Sequence, residues 1–310
     1  GDAIGNIASD VFLRLLSGAS EGYLQIETQT ERYAFGDRCS PLRASMTIHD
    51  PRFFRRVLFG GDIALGESYM DGDWSTPDLT AVVRFAVRNL ANLDASNTWL
   101  SSLSRFGDKL RHRRRANTVE QSRRNIQAHY DLSNDFFRLF LDERMLYSCA
   151  WFESANDTLE KAQLAKIDRV CRKLNLQPGD HLLEIGTGWG GLAVHAARHY
   201  GCRVTTTTIS AEQHDYARDL IRREGLTGRI ELLREDYRNL DGVYSKITSI
   251  EMFEAVGYTF YDTYFSACDR LLDRDGAMLL QTITINDQSF NAYRRKSDWI
   301  QKYIFPGGEL

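Results

Sequence analysis

His181-Leu-Leu-Glu-Ile-Gly-Thr-Gly-Trp-Gly-Gly191 is the stretch that decides the fold. Its apolar residues Leu182, Leu183 and Ile185 lie between Gly179 and a cluster of glycines, the pattern of a short buried strand. Gly186, Gly188, Gly190 and Gly191 follow as a loop whose backbone can take positive φ and approach a ligand closely. Residues 192–200 then repeat apolar side chains at helical spacing. Strand, glycine loop and helix thus succeed one another as in a nucleotide-binding βαβ unit. The spacing Glu184-x-Gly186-x-Gly188-x-Gly190 differs from the dinucleotide pattern G-x-G-x-x-G. A carboxylate two residues before the first glycine suits a neutral or cationic ligand better than a pyrophosphate. A tight strand–helix turn with no ligand is the competing interpretation.

Downstream the pattern stays regular. A helix over 159–174 leads through Pro178-Gly179 into the first strand. Strands are expected at 203–208, 230–234, 246–252 and 277–285, with helices at 211–223 and 258–272 between them. Such alternation gives an α/β fold, a parallel sheet with helices on both faces, and places ligands at the carboxyl ends of the strands. Each strand end offers polar groups. Strand two ends in Thr206-Thr-Thr-Ile-Ser-Ala-Glu-Gln213, where a dehydrogenase would carry an acid for ribose. Strand three ends in Glu235-Asp-Tyr237, where an acid can accept from an adenine amino group with Tyr237 beside the ring. Strand four ends in Glu251-Met-Phe-Glu-Ala-Val-Gly257, and strand five in Leu280-Gln-Thr-Ile283. Buried acids need partners, so a structural role for one of Glu251 and Glu254 is more natural than for both.

The first 92 residues mix a helix over 4–16, short strands at 23–28, 32–35 and 44–48, an aromatic and arginine-rich stretch at 51–59, and a helix over 78–92. They read as a small α+β domain with no catalytic constellation of its own. A basic linker over 93–120 contains Lys109-Leu-Arg-His-Arg-Arg-Arg115, either a solvated charge run or a strip for anionic headgroups at about 1 kcal/mol per basic residue. Residues 121–310 form the α/β domain. Their first part, 121–155, is dense in aromatic and hydrogen-bonding side chains, as expected of a lid over a pocket with apolar walls and polar anchors.

Of the 310 residues, 43% are hydrophobic and 26% charged, with a net charge of −3. That composition is globular and gives no global drive toward nucleic acid. No apolar run approaches the roughly 18 residues of a membrane span. The five cysteines are scattered without metal spacing, and a reduced cytoplasmic compartment is the simplest account. The chain opens on Gly1 rather than Met, so a trimmed or processed start is expected.

The segment Glu184-Ile-Gly-Thr-Gly-Trp-Gly-Gly191 resembles the first motif of class I methyltransferases that use S-adenosylmethionine. Together with Asn134-Asp-Phe-Phe137, Tyr147-Ser-Cys-Ala150, Met252-Phe-Glu254 and Tyr303-Ile-Phe-Pro-Gly-Gly308 it resembles the cyclopropane-fatty-acid synthases, which include mycolic acid cyclopropane synthases and fatty-acid methyltransferases. The likeness is strong over about residues 120–310. It implies a Rossmann-like class I methyltransferase fold and methyl transfer from S-adenosylmethionine to the cis double bond of an unsaturated phospholipid acyl chain. It further implies a bicarbonate ion that removes the proton to close the ring. Positions implied for the cofactor are Tyr147, Ser148, Glu184, Gly186, Gly188, Thr208, Ile209, Ser210, Gln213, Asp236 and Tyr237. Those implied for the bicarbonate are Cys149, Glu254, Gln281 and Ile283, with Glu251 and Tyr303 as further catalytic candidates. The N-terminal domain resembles one thought to engage phospholipid, implying a peripheral protein at the inner face of the membrane, and the family suggests a homodimer.

Two departures from the family pattern matter. Gln281 stands where many of these synthases have histidine; an amide can donate a hydrogen bond but cannot carry a proton away, and Glu251 is the candidate to compensate. Two further strands of a class I fold are not found before Leu310, so C-terminal strands are expected to be missing from this sequence. Loss of a proton from the neighbouring carbon, giving a methylene branch, is the close alternative outcome. A small-amine N-methyltransferase and a non-catalytic lipid-binding protein are the more distant readings.

Overall fold

A computed structural model describes residues 3–90, 133–293 and 299–305. The basic run at 109–115, the first part of the expected lid at 121–132, and Pro306-Gly-Gly308 lie outside the described residues. Two compact units divide the chain, the first holding residues 3–90 and the second 133–293 and 300–305.

In the first unit, α1 (Ala3–Leu16) precedes β1 (Tyr23–Glu27), β2 (Arg32–Gly36) and β3 (Arg43–Ile48), followed by α2 (Arg52–Met70), β4 (Trp74–Ser75) and α3 (Leu79–Arg88). The strands form one sheet in the order β2-β1-β3-β4, with β1 parallel to β3 and the other pairs antiparallel. Leu24, Ile26, Met46 and Ile48 alternate with exposed residues along their strands and meet Phe53, Phe54, Trp74 and Phe85 in one core. The aromatic and arginine-rich stretch at 51–59 opens a helix that runs on past Gly60-Gly61 to Met70. Gly61 takes φ 62° and ψ −143°, a conformation only glycine adopts freely, so α2 kinks there and resumes.

The second unit opens with α4 (Asn134–Arg138) and α5 (Leu159–Lys173), then β5 (His181–Ile185), α6 (Gly191–His195), β6 (Arg203–Thr207), α7 (Ala211–Arg223), β7 (Ile230–Leu233), β8 (Tyr244–Ile250), α8 (Tyr261–Leu271), β9 (Leu272–Gln281) and α9 (Asp287–Tyr293). A π-helical turn at Ala196–Tyr200 extends α6. The sheet is parallel throughout, in the order β7-β6-β5-β8-β9. The chain reverses its direction of sheet growth between β5 and β8, and the crevice outside the carboxyl ends of those strands is where this architecture binds ligands.

Successive residues of β5 point to opposite faces. Leu182 joins Ile167 and Val170 of α5 and Leu192 of α6 on one face, whereas Leu183 and Ile185 join Tyr264 and Leu271 of α8 on the other. Burial on both faces explains why β5 reads as a nearly continuous apolar run. The fifth strand begins at Leu272 rather than 277. The extra length pairs Tyr244 with Leu272 through a register shift, which admits the polar Asp273-Arg-Asp-Gly276 that hid it from the hydrophobic pattern. No described helix is long and apolar enough to cross a membrane.

Candidate active site

At the carboxyl ends of β5, β6, β7 and β8 lies a cavity. Glu184, Gly186 and Gly188 line it from β5 and its loop, Thr208, Ile209 and Gln213 from the turn after β6, and Asp236 and Tyr237 from the turn after β7. Glu251 and Met252 line it after β8, and Tyr147 and Ser148 cover it from the segment before α5. Every residue implied for the cofactor except Ser210 therefore borders one space. Ser210 instead caps α7: its hydroxyl accepts from the Gln213 backbone N–H at 3.3 Å, and its own N–H donates to Thr208 Oγ1 at 3.2 Å.

Glu184 is fully buried on the sheet face covered by α5. Its Oε2 accepts from Thr206 Oγ1 at 2.6 Å, and Thr206 shares a 2.7 Å hydrogen bond with Thr187. Glu184 and Thr206 are register partners across β5 and β6, so the pairing follows directly from the sheet. Burial pushes the Glu184 carboxyl up to about 8, against the lowering effects of Thr206 and the nearby Lys166 ammonium. Because the folded value lies above the ordinary one, the stability this group contributes is present at acid pH and lost as pH rises through about 8. We expect the melting temperature of the ligand-free protein to fall between about pH 5 and about pH 8 more steeply than that of Glu184→Gln. Parallel curves for the two proteins would remove Glu184 from this linkage.

Asp236 is buried and held in a fork by Arg238, with Nε at 2.8 Å from Oδ1 and Nη2 at 2.8 Å from Oδ2. Oδ1 also accepts from the Arg238 backbone N–H at 3.0 Å, so Oδ2 is the oxygen that keeps a lone pair for a ligand, now with its orientation fixed. The Tyr237 ring packs edge-on against Tyr264 at 5.2 Å, and burial pushes its hydroxyl up to about 12. That ring thus packs into the core beneath the cavity while also bordering it.

The covering segment is fastened from α5. Gln163 Nε2 donates to the carbonyls of Leu146 at 3.1 Å and Ser148 at 2.8 Å, and Lys166 Nζ donates to the Ser148 hydroxyl. Phe137, Met145 and Trp189 form a small buried cluster here, and Trp189 Nε1 donates to Asn134 Oδ1 at 2.7 Å. Phe305 borders the cavity and stacks on Tyr147 with ring centroids 6.2 Å apart. Tyr303, the residue singled out from that C-terminal segment, is 41% exposed, does not border the cavity and holds Lys302 over its ring.

Beside the cavity the structure gathers a second group. Cys149 N–H donates to Glu251 Oε1 at 2.9 Å, and Gln281 Nε2 donates to the same oxygen at 2.8 Å and lies 3.4 Å from Cys149 Sγ. Glu254 Oε1 accepts from the Ile283 backbone N–H at 2.6 Å and from Thr282 Oγ1 at 3.0 Å. Its Oε2 is buried and has no hydrogen-bond partner among the described residues. Burial, then the Glu251 carboxylate, raises the Cys149 thiol above its ordinary value, so it stays protonated at neutral pH.

Sequence reasoning passed over Lys166 and Arg238. Lys166 left a readable signal: with Gln163, Ile167 and Val170 it falls on the buried stripe of α5, where a lysine is out of place unless it serves polar groups.

Residues 117–310 match the family model described as mycolic acid cyclopropane synthetase. Over 279 residues the chain is 41% identical to the tuberculostearic acid methyltransferase UfaA1 of Mycobacterium tuberculosis, covering 87% of this chain and 64% of that protein. Over 271 residues it is 42% identical to the cyclopropane-fatty-acyl-phospholipid synthase of Escherichia coli, covering 86% of this chain and 67% of that one. The chain thus spans about two thirds of the length of these relatives. Among solved structures, the mycolic acid cyclopropane synthase CmaA1 complexed with SAH and CTAB aligns with a TM-score of 0.57 at 41% identity, over 61% of this chain and 69% of that one. With its parallel sheet, its glycine loop and this likeness together, the chain has a class I methyltransferase fold and belongs to the mycolic acid cyclopropane synthetase family.

Proposed function

We propose that this protein transfers the methyl group of S-adenosylmethionine to the cis double bond of an unsaturated acyl chain in a membrane phospholipid, giving a cyclopropane. The observation that carries the reading is the convergence of Glu184, Gly186, Gly188, Thr208, Gln213 and Asp236 on one cavity that opens beside a separate group of acids. Bound there, S-adenosylmethionine would supply an electrophilic methyl on a sulfonium. The residues fit it: positive φ at Gly186 and Gly188 lets backbone come close, Glu184 offers a carboxyl on the cavity wall, and Asp236 offers an acceptor. An alkene is a poor nucleophile, so the chain's task is proximity and exclusion of water. Tyr147, Met145, Trp189 and Phe305 furnish apolar walls for that purpose.

The family assigns proton removal to a bicarbonate ion. Cys149, Glu254, Gln281 and Ile283 do converge, yet their donors are committed: two N–H groups serve Glu251 and one serves Glu254. A third anion beside two carboxylates would meet repulsion, and among the described residues the donors nearest it are turned elsewhere: the Cys149 N–H and one Gln281 N–H to Glu251, and the other Gln281 N–H toward Cys149 Sγ. These residues do not fit a bound bicarbonate, and no step is derived through one.

Labelled S-adenosylmethionine with vesicles of unsaturated phospholipid, followed by mass spectrometry of the released acids, tests the reading. A product heavier by one methylene that resists mild hydrogenation is expected. A product of that mass that takes up hydrogen would establish the methylene branch instead; the two relatives, named for a methyltransferase and for a cyclopropane synthase, keep both outcomes in view. Transfer to small amines but not to lipid would overturn the proposal. The basic run at 109–115 is proposed to hold anionic headgroups, so vesicle binding is expected to weaken with added salt.

A further inference from the structure

Glu251 stands at an unusual place in the fold. It follows β8 at the rim of the cavity, and its backbone takes φ 48°, a region that non-glycine residues enter at a cost. A glycine would sit there unstrained, yet the chain places a carboxylate. Two segments distant in sequence serve it. Cys149 N–H and Gln281 Nε2 both donate to Oε1, and the Glu251 backbone N–H donates to the Gln281 carbonyl at 2.8 Å. The buried Lys166 lies close enough for its charge to act on this site, and it is held against the Ser148 hydroxyl on the cavity wall. Strain, convergent donors and a wall position on the cavity are three separate observations about one side chain.

We infer that the Glu251 carboxylate is the resident base of this enzyme, taking within the chain the role that the family gives to a bound ion. The inference rests on the methyl-transfer reading above. The step balances as follows. The alkene's electron pair forms a bond to the methyl carbon as the bond from sulfur to that carbon breaks, leaving S-adenosylhomocysteine and a positive charge on the other alkene carbon. Glu251 then takes a proton from the added methyl, and the released C–H pair closes the third bond of the ring. Removal of a proton from the adjacent chain carbon by the same carboxylate would give the methylene branch. Gln281 and the Cys149 backbone are positioning groups, since they hold the oxygen but carry no proton away. The protonated Cys149 thiol is not a competing base.

The test combines four measurements on the full chain. In wild type, stripping bicarbonate from the buffer is expected to leave ring formation within about 3-fold, because the base is covalently part of the chain. Glu251→Gln is expected to lower ring formation about 10²- to 10⁴-fold, the range for a lost general base. Calorimetric affinity for S-adenosylhomocysteine should change by less than about 3-fold, showing an intact cofactor site. Glu251→Gly removes the strain and frees two N–H donors, so added acetate or bicarbonate is expected to restore part of the activity. Wild-type activity that collapses without bicarbonate, or Glu251→Gln that forms the ring at nearly the wild-type rate, would overturn the inference while leaving the methyl-transfer reading intact. No lipid methylation by wild type under any condition would instead overturn that reading, and this inference with it.

Discussion

Replacing Gly186 by alanine is expected to weaken binding of S-adenosylhomocysteine by about 10- to 100-fold while the protein still folds. Gly186 has φ 103°, beyond the left-handed helical region that asparagine tolerates and open in practice to glycine alone. A Cβ built there would lie 3.0 Å from Met252 Cβ and 3.2 Å from its Cγ. Relief requires either the glycine loop or the turn after β8 to shift, and both border the cavity. The Gly186 and Thr187 N–H groups donate to the Thr207 carbonyl at 3.1 and 2.9 Å, so the shift would spread to the rim of β6. Backbone strain of this kind costs on the order of 1–3 kcal/mol, which a domain of ordinary stability survives. Gly201→Asn is the control for strain alone. Gly201 follows the helical segment with φ 68°, where asparagine is accepted, and does not border the cavity. Calorimetry on both variants checks the prediction; undiminished affinity in Gly186→Ala would mean that no ligand approaches this backbone closely.

Truncating Trp189 to alanine is expected to destabilise the second unit by about 3–5 kcal/mol, the usual range for removing a buried aromatic. The indole is 2% exposed, its ring centroid lies 5.0 Å from that of Phe137, and its Nε1 donates to Asn134. Truncation leaves a void beside Phe137 and Met145 and removes the donor that Asn134 accepts from. Because α4 and the covering segment meet the glycine loop through this cluster, the loss should also loosen the cavity wall. Thermal unfolding should fall by roughly 10 °C for a domain of this size, and Trp189→Phe, which keeps most of the volume, should recover much of it. A shift of only one or two degrees for Trp189→Ala would show that the segment packs independently of the loop.

Much of the second unit was legible in advance because its elements follow local rules. Helix α7, Ala211–Arg223, carries its own start signal in Ser210 and its own apolar stripe, and it forms over the expected residues. Strand β5 was marked by a doubly buried apolar run between glycines. Where local signals and tertiary demands disagreed, the sequence misled. The polar start of β9 is tolerated because β8 pairs with it through a register shift. Ser210, grouped with the cofactor residues through the family resemblance, caps α7 and does not border the cavity. Tyr303 does not border the cavity, whereas Phe305, two residues later, does.

The sequence by itself determined the parallel α/β architecture, the glycine loop with its acid, and the set of residues that crowd the strand ends. Those features depend on patterns a few residues long, and backbone sterics and hydrophobic periodicity act at that range. Only the tertiary structure decided which polar groups spend their hydrogen bonds on one another. The Cys149–Glu251–Gln281 group joins positions 102 and 30 residues apart along the chain. Donors and acceptors are short-range and directional, so their pairing follows from where the folded backbone aims them, which no local pattern encodes.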